Sequence, residues 1–512
     1  MSFCTVLSAA VQGLSVEMIR VEADVSNGLP MFHMVGYLSS EVKEASERVR
    51  TAIRNSGMKL PAKKIIVNLA PATVRKRGAS FDLPIALAVL AAMNYVPEEA
   101  LKGVAVIGEV SLEGKIRGVS GVLPIVMEAK NQGCTACILP EENEIEGRLV
   151  SGIKILPADN LEKLCAYLNG DEKEIHRKKQ GRSSAQRNIF ENKKEDFSDI
   201  CGQNAVKRAA EIAVAGGHNL LMAGPPGSGK SMIARRIATI LPELSLEESL
   251  EITRIYSVLG MIDKEQPLIT RRPFRSVHHT ITKTALVGGG MTPRPGEISM
   301  AHGGVLFLDE LAESPRNVLE VLRQPLEEHQ IHIARNYGNF KFPAEFMLVA
   351  AMNPCPCGNY PDMQKCSCTP SQIQKYLGKV SQPFLDRMDL CIETPKVEYR
   401  ELDIERIGKK EEESSEVIRS RVVEARKLQK KRYEGTQIRT NSMLGPGEIR
   451  TYIPLGSAER KLMEKAFERM GLTARTYHKI LRVARTIADL DYSKKVTEKH
   501  LKEAIAYRSL DK

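Results

Sequence analysis

The stretch that decides the fold is GHNLLMAGPPGSGKS, Gly217 to Ser231. A short apolar run, Leu220 to Ala223, has the length of a buried strand and leads directly into a turn rich in proline and glycine. A helical pattern follows. Gly224 to Ser231 matches G-x-x-x-x-G-K-[ST] in the strand, loop and helix context that this pattern requires. Gly224, Pro225, Pro226, Gly227, Ser228 and Gly229 then form a loop whose backbone N–H groups approach phosphates, with the positive end of the next helix aimed at them. Lys230 is expected to reach the β- and γ-phosphates and Ser231 to ligate Mg²⁺. ATP and Mg²⁺ are the expected ligands.

Further along, GGVLFLDEL (Gly303–Leu311) reads as a buried strand ending in two acids. Asp309 is placed to hold Mg²⁺ and Glu310 to orient the attacking water, so hydrolysis is expected as well as binding. SPRNVLEVLRQPLEEH reads as one helix, and IHIARNYGNFKFPAEF as a hairpin around Tyr337-Gly338-Asn339. FMLVAAMN is a strand that delivers Asn353 beside the phosphate loop, where an amide contacts the γ-phosphate or the water.

The chain has 512 residues, more than one hydrophobic core serves, since cores stop growing near roughly 300 residues. Residues 1–169 alternate strands with helices and predict an α/β or α+β domain. Residues 170–196 are dense in charge and read as a linker, 197–395 hold the phosphate loop, and 396–512 carry helical spacing throughout. With 42% hydrophobic and 27% charged residues and no apolar run long enough to span a bilayer, the expectation is a cytoplasmic protein that uses no membrane. The net charge of +11 fits a nucleic-acid partner, and fits solvated lysines equally.

NPCPCGNYPDMQKCSC (Asn353–Cys368) places Cys355, Cys357, Cys366 and Cys368 in a turn-rich loop. A reducing compartment disfavours a disulfide knot. Structural Zn²⁺ is the expected occupant, although C-x-C is tighter than common zinc spacing; unligated thiols and a redox switch are the other readings. Cys134 and Cys137 read as core. His278 and His279 on an extended segment would face opposite ways, which argues for structure or substrate contact.

Phosphate loop, DE strand, hairpin and terminal Asn in this order resemble the AAA+ ATPases, and the hairpin with a trailing helical block resembles the branch containing magnesium chelatase and the MCM helicases. GHNLLMAGPPGSGKS, RPGEISMAHGGVLFLDEL, AAMNPCPCG and CTPSQIQKYLGKVSQPFLDRMDL are similar to the YifB/ComM family of bacteria over nearly the whole chain. The resemblance implies an AAA+ three-layer α/β core, a helical lid, and a nucleotide-promoted, hexameric ring acting on single-stranded or branched DNA in branch migration during natural transformation. It further implies that Arg387, in LDRMDL, is a finger entering a neighbouring site. In TARTYHKILRVAR it points to Arg475 as the lid arginine on the γ-phosphate, with Arg482 the alternative. In that branch the glycine-rich ALVGGGMTPRPG segment and the hairpin tip face the pore, so Arg335, Tyr337 and Lys341 are candidate DNA contacts. Residues 1–169 resemble the ribosomal-S5-like fold shared with Lon protease. Ser80 falls at the nucleophile's position, but Val122-Leu123-Pro124 stands where the lysine would be. Ser80 is therefore expected to cap a helix, and peptidase activity is disfavoured. The rival readings are a chelatase-like motor with a protein or metal-insertion client and a Lon-like protease.

Overall fold

The computed structural model describes residues 2–171, 195–335, 338–396 and 412–508. The chain starts with a hairpin. Strands β1 (Ser2–Gln12) and β2 (Ser15–Ser26) pair antiparallel without interruption from Ser2↔Val25 to Gln12↔Ser15. Ile19, Val21, Ala23 and Val25 alternate inward, and burial of that one face pins the register. With β3 (Met31–Val35), β4 (Lys64–Ala70), β5 (Val104–Val106), β6 (Ala136–Pro140) and β7 (Lys154–Ala158) they build a seven-stranded mixed sheet ordered β3-β4-β2-β1-β5-β6-β7. Helices α1 (Ala45–Asn55) and α2 (Asp82–Ala92) follow the hairpin half, and α2, apolar all round, is buried at every position against β1 and β2. Cys134 and Cys137 are buried in the core, as expected.

The expectation that Ser80 caps α2 is corrected. A 3₁₀ turn, Ala79–Phe81, precedes the helix and no cap position carries a side-chain hydrogen bond. Asp82 meets the helix's positive end instead and takes two hydrogen bonds from Arg48, at 2.8 and 2.9 Å. Burial pushes the Asp82 carboxyl up, and Arg48 opposes that rise. Leu123 lies on the first turn of helix α3 (Val122–Asn131) and is fully buried.

The charged segment expected between residues 170 and 196 lies largely outside the described residues. Asp196 is itself structured: it caps the turn Phe197–Asp199 and accepts from the Ser415 amide at 3.0 Å. From there run α4 (Asn204–Gly216), β8 (Leu220–Ala223), α5 (Lys230–Ile237), α6 (Leu246–Leu259), β9 (Phe274–Val277) and β10 (Val305–Leu308). Next come β11 (Gln330–Arg335), β12 (Gly338–Pro343), β13 (Met347–Met352), α7 (Pro370–Leu377) and β14 (Leu390–Glu393). Five of these strands form an all-parallel sheet ordered β9-β10-β13-β8-β14. The central three, β10, β13 and β8, are buried at every residue, as a parallel sheet covered on both faces demands. The hairpin forms between β11 and β12, from Gln330↔Pro343 to Arg335↔Gly338, and its tip residues Asn336 and Tyr337 lie outside the described residues. The single helix expected over SPRNVLEVLRQPLEEH is two short ones, Arg316–Glu320 and Arg323–Glu328, because Pro325 has no amide to return to the carbonyl four residues earlier.

The remainder is helical: α8 (Ser415–Arg432), α9 (Pro446–Tyr452), α10 (Ser457–Met470), α11 (Ala474–Leu490) and α12 (Glu498–Ala506). Helix α11 packs on α4, α8 and α12, so Ile212, Leu220, Val422 and Ile480 share one core.

The first domain is seated on the second. The turn at Gly13-Leu14 lies against Phe340 and Phe342 of the hairpin, and Leu14 is buried with Leu306 and Leu348. Helix α3 packs on α6; the Gly121 amide donates to the Ser257 carbonyl at 3.0 Å. The buried Glu146 carboxylate accepts from Ser257 Oγ (2.6 Å), the Leu123 amide (2.8 Å) and Asn143 (3.2 Å). Burial pushes this carboxyl up, and those donors partly offset it. Among the described residues no helix is long and apolar enough to cross a membrane.

Candidate nucleotide site

Ligands of open parallel sheets bind outside the carboxyl ends of the strands. Here that edge gathers residues from β8, β10 and β13. Gly227 and Gly229 have φ of +75° and +84°, the left-handed backbone from which loop amides build anion-binding concavities. Lys230, at the start of α5, is 8% exposed and donates to the carbonyls of Gly224 (2.7 Å) and Pro225 (2.9 Å) and to Asn353 Oδ1 (3.3 Å). Burial lowers its pKa, with Asp309 opposing. Ser231 Oγ donates to Asp309 Oδ2 at 2.8 Å. A hydroxyl and a carboxylate in contact beside a phosphate loop are an oxygen donor set that suits Mg²⁺. The sequence placed these groups up to 123 positions apart, and the sheet brings them together.

Glu310, just beyond β10, has φ of +49°, an uncommon conformation for a residue with a side chain. His279 Nδ1 lies 2.7 Å from its Oε2. The expectation that His278 and His279 face opposite ways is corrected: β9 ends at Val277, the Ile281 amide donates to the His278 carbonyl at 3.0 Å, and the turn brings the two rings to a centroid distance of 4.0 Å. Sequence reasoning missed His279 as a neighbour of Glu310. Its position just past a strand adjacent to the DE strand is the signal that was there to read.

Arg387 and Arg475 stand elsewhere. Arg387 precedes β14, and Leu390 pairs with Leu220 at the start of β8, whereas the phosphate loop leaves from its far end. Four residues of strand span about 13 Å. Arg387 is 8% exposed, paired with Glu327 and donating to the Pro383 carbonyl at 2.6 Å, while its Nε is buried without a partner. It lines a cavity of about 360 Å³ together with Arg475, Lys479 and Arg482. No residue of Gly224–Ser231 lines that cavity. Arg475 is exposed; Arg482 has its Nε buried without a partner, and burial lowers its pKa. Asp389 is held far below the usual carboxylate range: Lys479 and His218 beside it outweigh its burial.

Arg335 and Lys341 are exposed on the hairpin. The glycine-rich segment folds back through Gly288-Gly289 pairing with Arg294-Pro295, and a Cβ on Gly289 would lie 3.6 Å from the Arg335 guanidinium, so the two insertions adjoin. The four thiols of Cys355, Cys357, Cys366 and Cys368 also converge, all within 4.8 Å of one another. Sγ separations of 3.4, 3.8 and 3.6 Å exceed a disulfide bond and suit the roughly 3.8 Å edge of a tetrahedron with 2.3 Å metal–sulfur arms. The Tyr360 amide donates to Cys355 Sγ at 3.4 Å, as backbone amides do around bound thiolates.

Comparison with known proteins covers nearly all of this architecture. The family described as magnesium chelatase, subunit ChlI, matches residues 196–402; subunit ChlI of Mg-chelatase matches 21–143, and the subunit ChlI C-terminal family matches 412–508. The chain is 44% identical over 512 residues to the protein YifB of Escherichia coli (strain K12), covering 100% of this chain and 98% of that one. It is 42% identical over 517 residues to the competence protein ComM of Haemophilus influenzae, again covering 100% and 98%. A Lon protease of Trichlorobacter lovleyi is 26% identical over 160 residues, 29% of this chain and 19% of that one. The chain belongs to the YifB/ComM family of magnesium-chelatase-like AAA+ ATPases.

Proposed function

We propose that the chain is an ATP-hydrolysing, ring-forming DNA motor of the cytoplasm, acting as a helicase in branch migration of recombination intermediates. The observation that carries the ring is the separation of Arg387 and Arg475 from Lys230 across the length of β8. Neither arginine serves its own chain's phosphate loop from there, so each serves a neighbouring copy's, and a nucleotide-promoted hexamer is the closed form proposed. Within one chain, Lys230 exchanges its carbonyl partners for β- and γ-phosphate oxygens, and the loop amides hold the rest. Ser231 and Asp309, in contact at 2.8 Å, would hold Mg²⁺, which would screen the phosphate charge. Glu310 orients a water and takes its proton as the water oxygen bonds to the γ-phosphorus and the bond to the β–γ bridging oxygen breaks, leaving ADP and phosphate. Asn353 fixes that water or the γ-phosphate. The neighbour's Arg387 and Arg475 offset charge on the transferring group.

DNA, single-stranded or branched, is the proposed substrate. The reading rests on Arg335, Lys341 and the adjoining glycine-rich turn, on the net charge of +11, and on a relative named a competence protein. Tyr337 completes this set as a base-stacking residue. The cysteine cluster is proposed to hold a structural Zn²⁺. A chelatase-like motor with a protein or metal-insertion client is the second reading, favoured by the family descriptions. Peptidase activity is not proposed, because Val122-Leu123-Pro124 stands where the resemblance to Lon would put the base that Ser80 needs.

The test is ATP hydrolysis by the purified chain with no DNA, single-stranded DNA and branched DNA, with Glu310→Gln as control. Stimulation by DNA that the variant loses is the expected result. Hydrolysis indifferent to every DNA would move the client to a protein.

A further inference from the structure

The cysteine loop and the phosphate loop touch through one backbone contact. Gly358, between the two thiol pairs, has φ of +79° and is buried. Its backbone abuts Pro226 of the phosphate loop so closely that an added Cβ would fall 2.3 Å from the proline Cδ. The same loop starts at Asn353, whose side chain accepts from Lys230. It therefore reaches the phosphate loop at Pro226 and at Lys230, yet from residue 354 to 368 only Cys355 and Gly358 are buried. A segment with so little apolar content does not hold a wall in place by its own packing. Gly358 is fixed instead by the hydrogen bond that its amide donates to the Cys355 carbonyl, at 3.0 Å, and Cys355 carries one of the four converging thiols.

We infer that zinc held by Cys355, Cys357, Cys366 and Cys368 presses Gly358 against Pro226 and so sets the shape of the phosphate loop, making nucleotide affinity depend on metal occupancy. This rests on reading Gly224–Ser231 as an ATP site. The metal leaves the chemistry of hydrolysis untouched; it braces the residues that bind.

The experiment uses the full chain. Zinc content is measured by mass spectrometry, and binding of a fluorescent ATP analogue is titrated on the loaded protein, after stripping with a chelator, and after zinc is returned. One zinc per chain is expected, with affinity falling about ten-fold on stripping and recovering on return. Gly358→Ala should keep its zinc and still lose affinity, because the added methyl displaces Pro226. Hydrogen exchange on stripping should rise at residues 224–231 and 353–369. Equal affinity with and without zinc, failure to take up zinc, or exchange rising across the whole chain would overturn the inference. A zinc-loaded chain that binds no nucleotide would overturn the ATP reading, and this inference with it.

Discussion

Lys230 and Arg475 are both cations proposed to meet a phosphate, and the chain treats them differently. Lys230 is buried, donates to two carbonyls and an amide oxygen, and sits on the first turn of a helix packed into the core. Arg475 is exposed and makes no side-chain hydrogen bond or ion pair among the described residues; beside it Arg387 and Arg482 each keep a buried Nε unpartnered. In the cavity they share, Arg387, Arg475, Lys479 and Arg482 face Glu327, Asp386 and Asp389. The carboxyl end of the sheet is thus organised inside one chain, and the amino end carries donors in excess of its acceptors. Donors to spare at that end are what the proposed ring would use, with the acceptors supplied by a neighbouring copy.

The largest expected effect tests that division directly. Arg387→Ala should lower kcat by about a thousand-fold while nucleotide affinity stays put. Mixing it with Lys230→Ala chains should restore activity that neither variant has alone, since each supplies the end the other lacks. A mixture as inactive as its parts would break the comparison. Glu310→Gln, at the self-contained end, should cost about a hundred-fold in kcat with nucleotide still bound, measured by single-turnover hydrolysis and by binding. His279→Ala should cost about ten-fold or less, since it only orients Glu310, and should leave affinity unchanged.

The smallest effect is on stability at the other end. Burial brings Lys479 down to about 8, against about 10.4 in an unfolded chain. Between those values the unfolded chain keeps a proton that the folded chain has released, so this group makes stability rise with pH in that window. Lys479→Met should flatten the rise, read as urea midpoints between pH 8 and 10.

The two ends also differ in how far they could be read from the sequence. LLMA, VLFL and FMLVAAM are apolar throughout because their strands are covered on both faces, and they lead into the glycine-rich loop, Asp309 and Asn353 respectively, so strand and site announce each other. Arg387 carries no such mark. Its partner Glu327 is sixty positions away and its distance from Lys230 depends on strand order, neither of which periodicity encodes. The break before Arg323 is legible in Pro325, although the helical spacing runs on through it. The turn at His278 was hidden because Val277 ends its strand with no glycine or proline to announce it. The contact of Gly358 with Pro226 joins two loops that look, in the sequence, like separate motifs.

The seat of the first domain sets a rule for anyone dividing this chain into parts. Cutting near residue 170 would leave the ATPase piece with Phe340, Phe342 and the outer face of Leu246–Leu259 newly wetted, and with Ser257 deprived of the Glu146 carboxylate. Such a fragment would present a fresh apolar patch next to the hairpin, the kind of surface that draws copies together without order. Clumping by a trimmed enzyme would then be an artefact of the scissors, and an assembly assay is sound only on the uncut polypeptide.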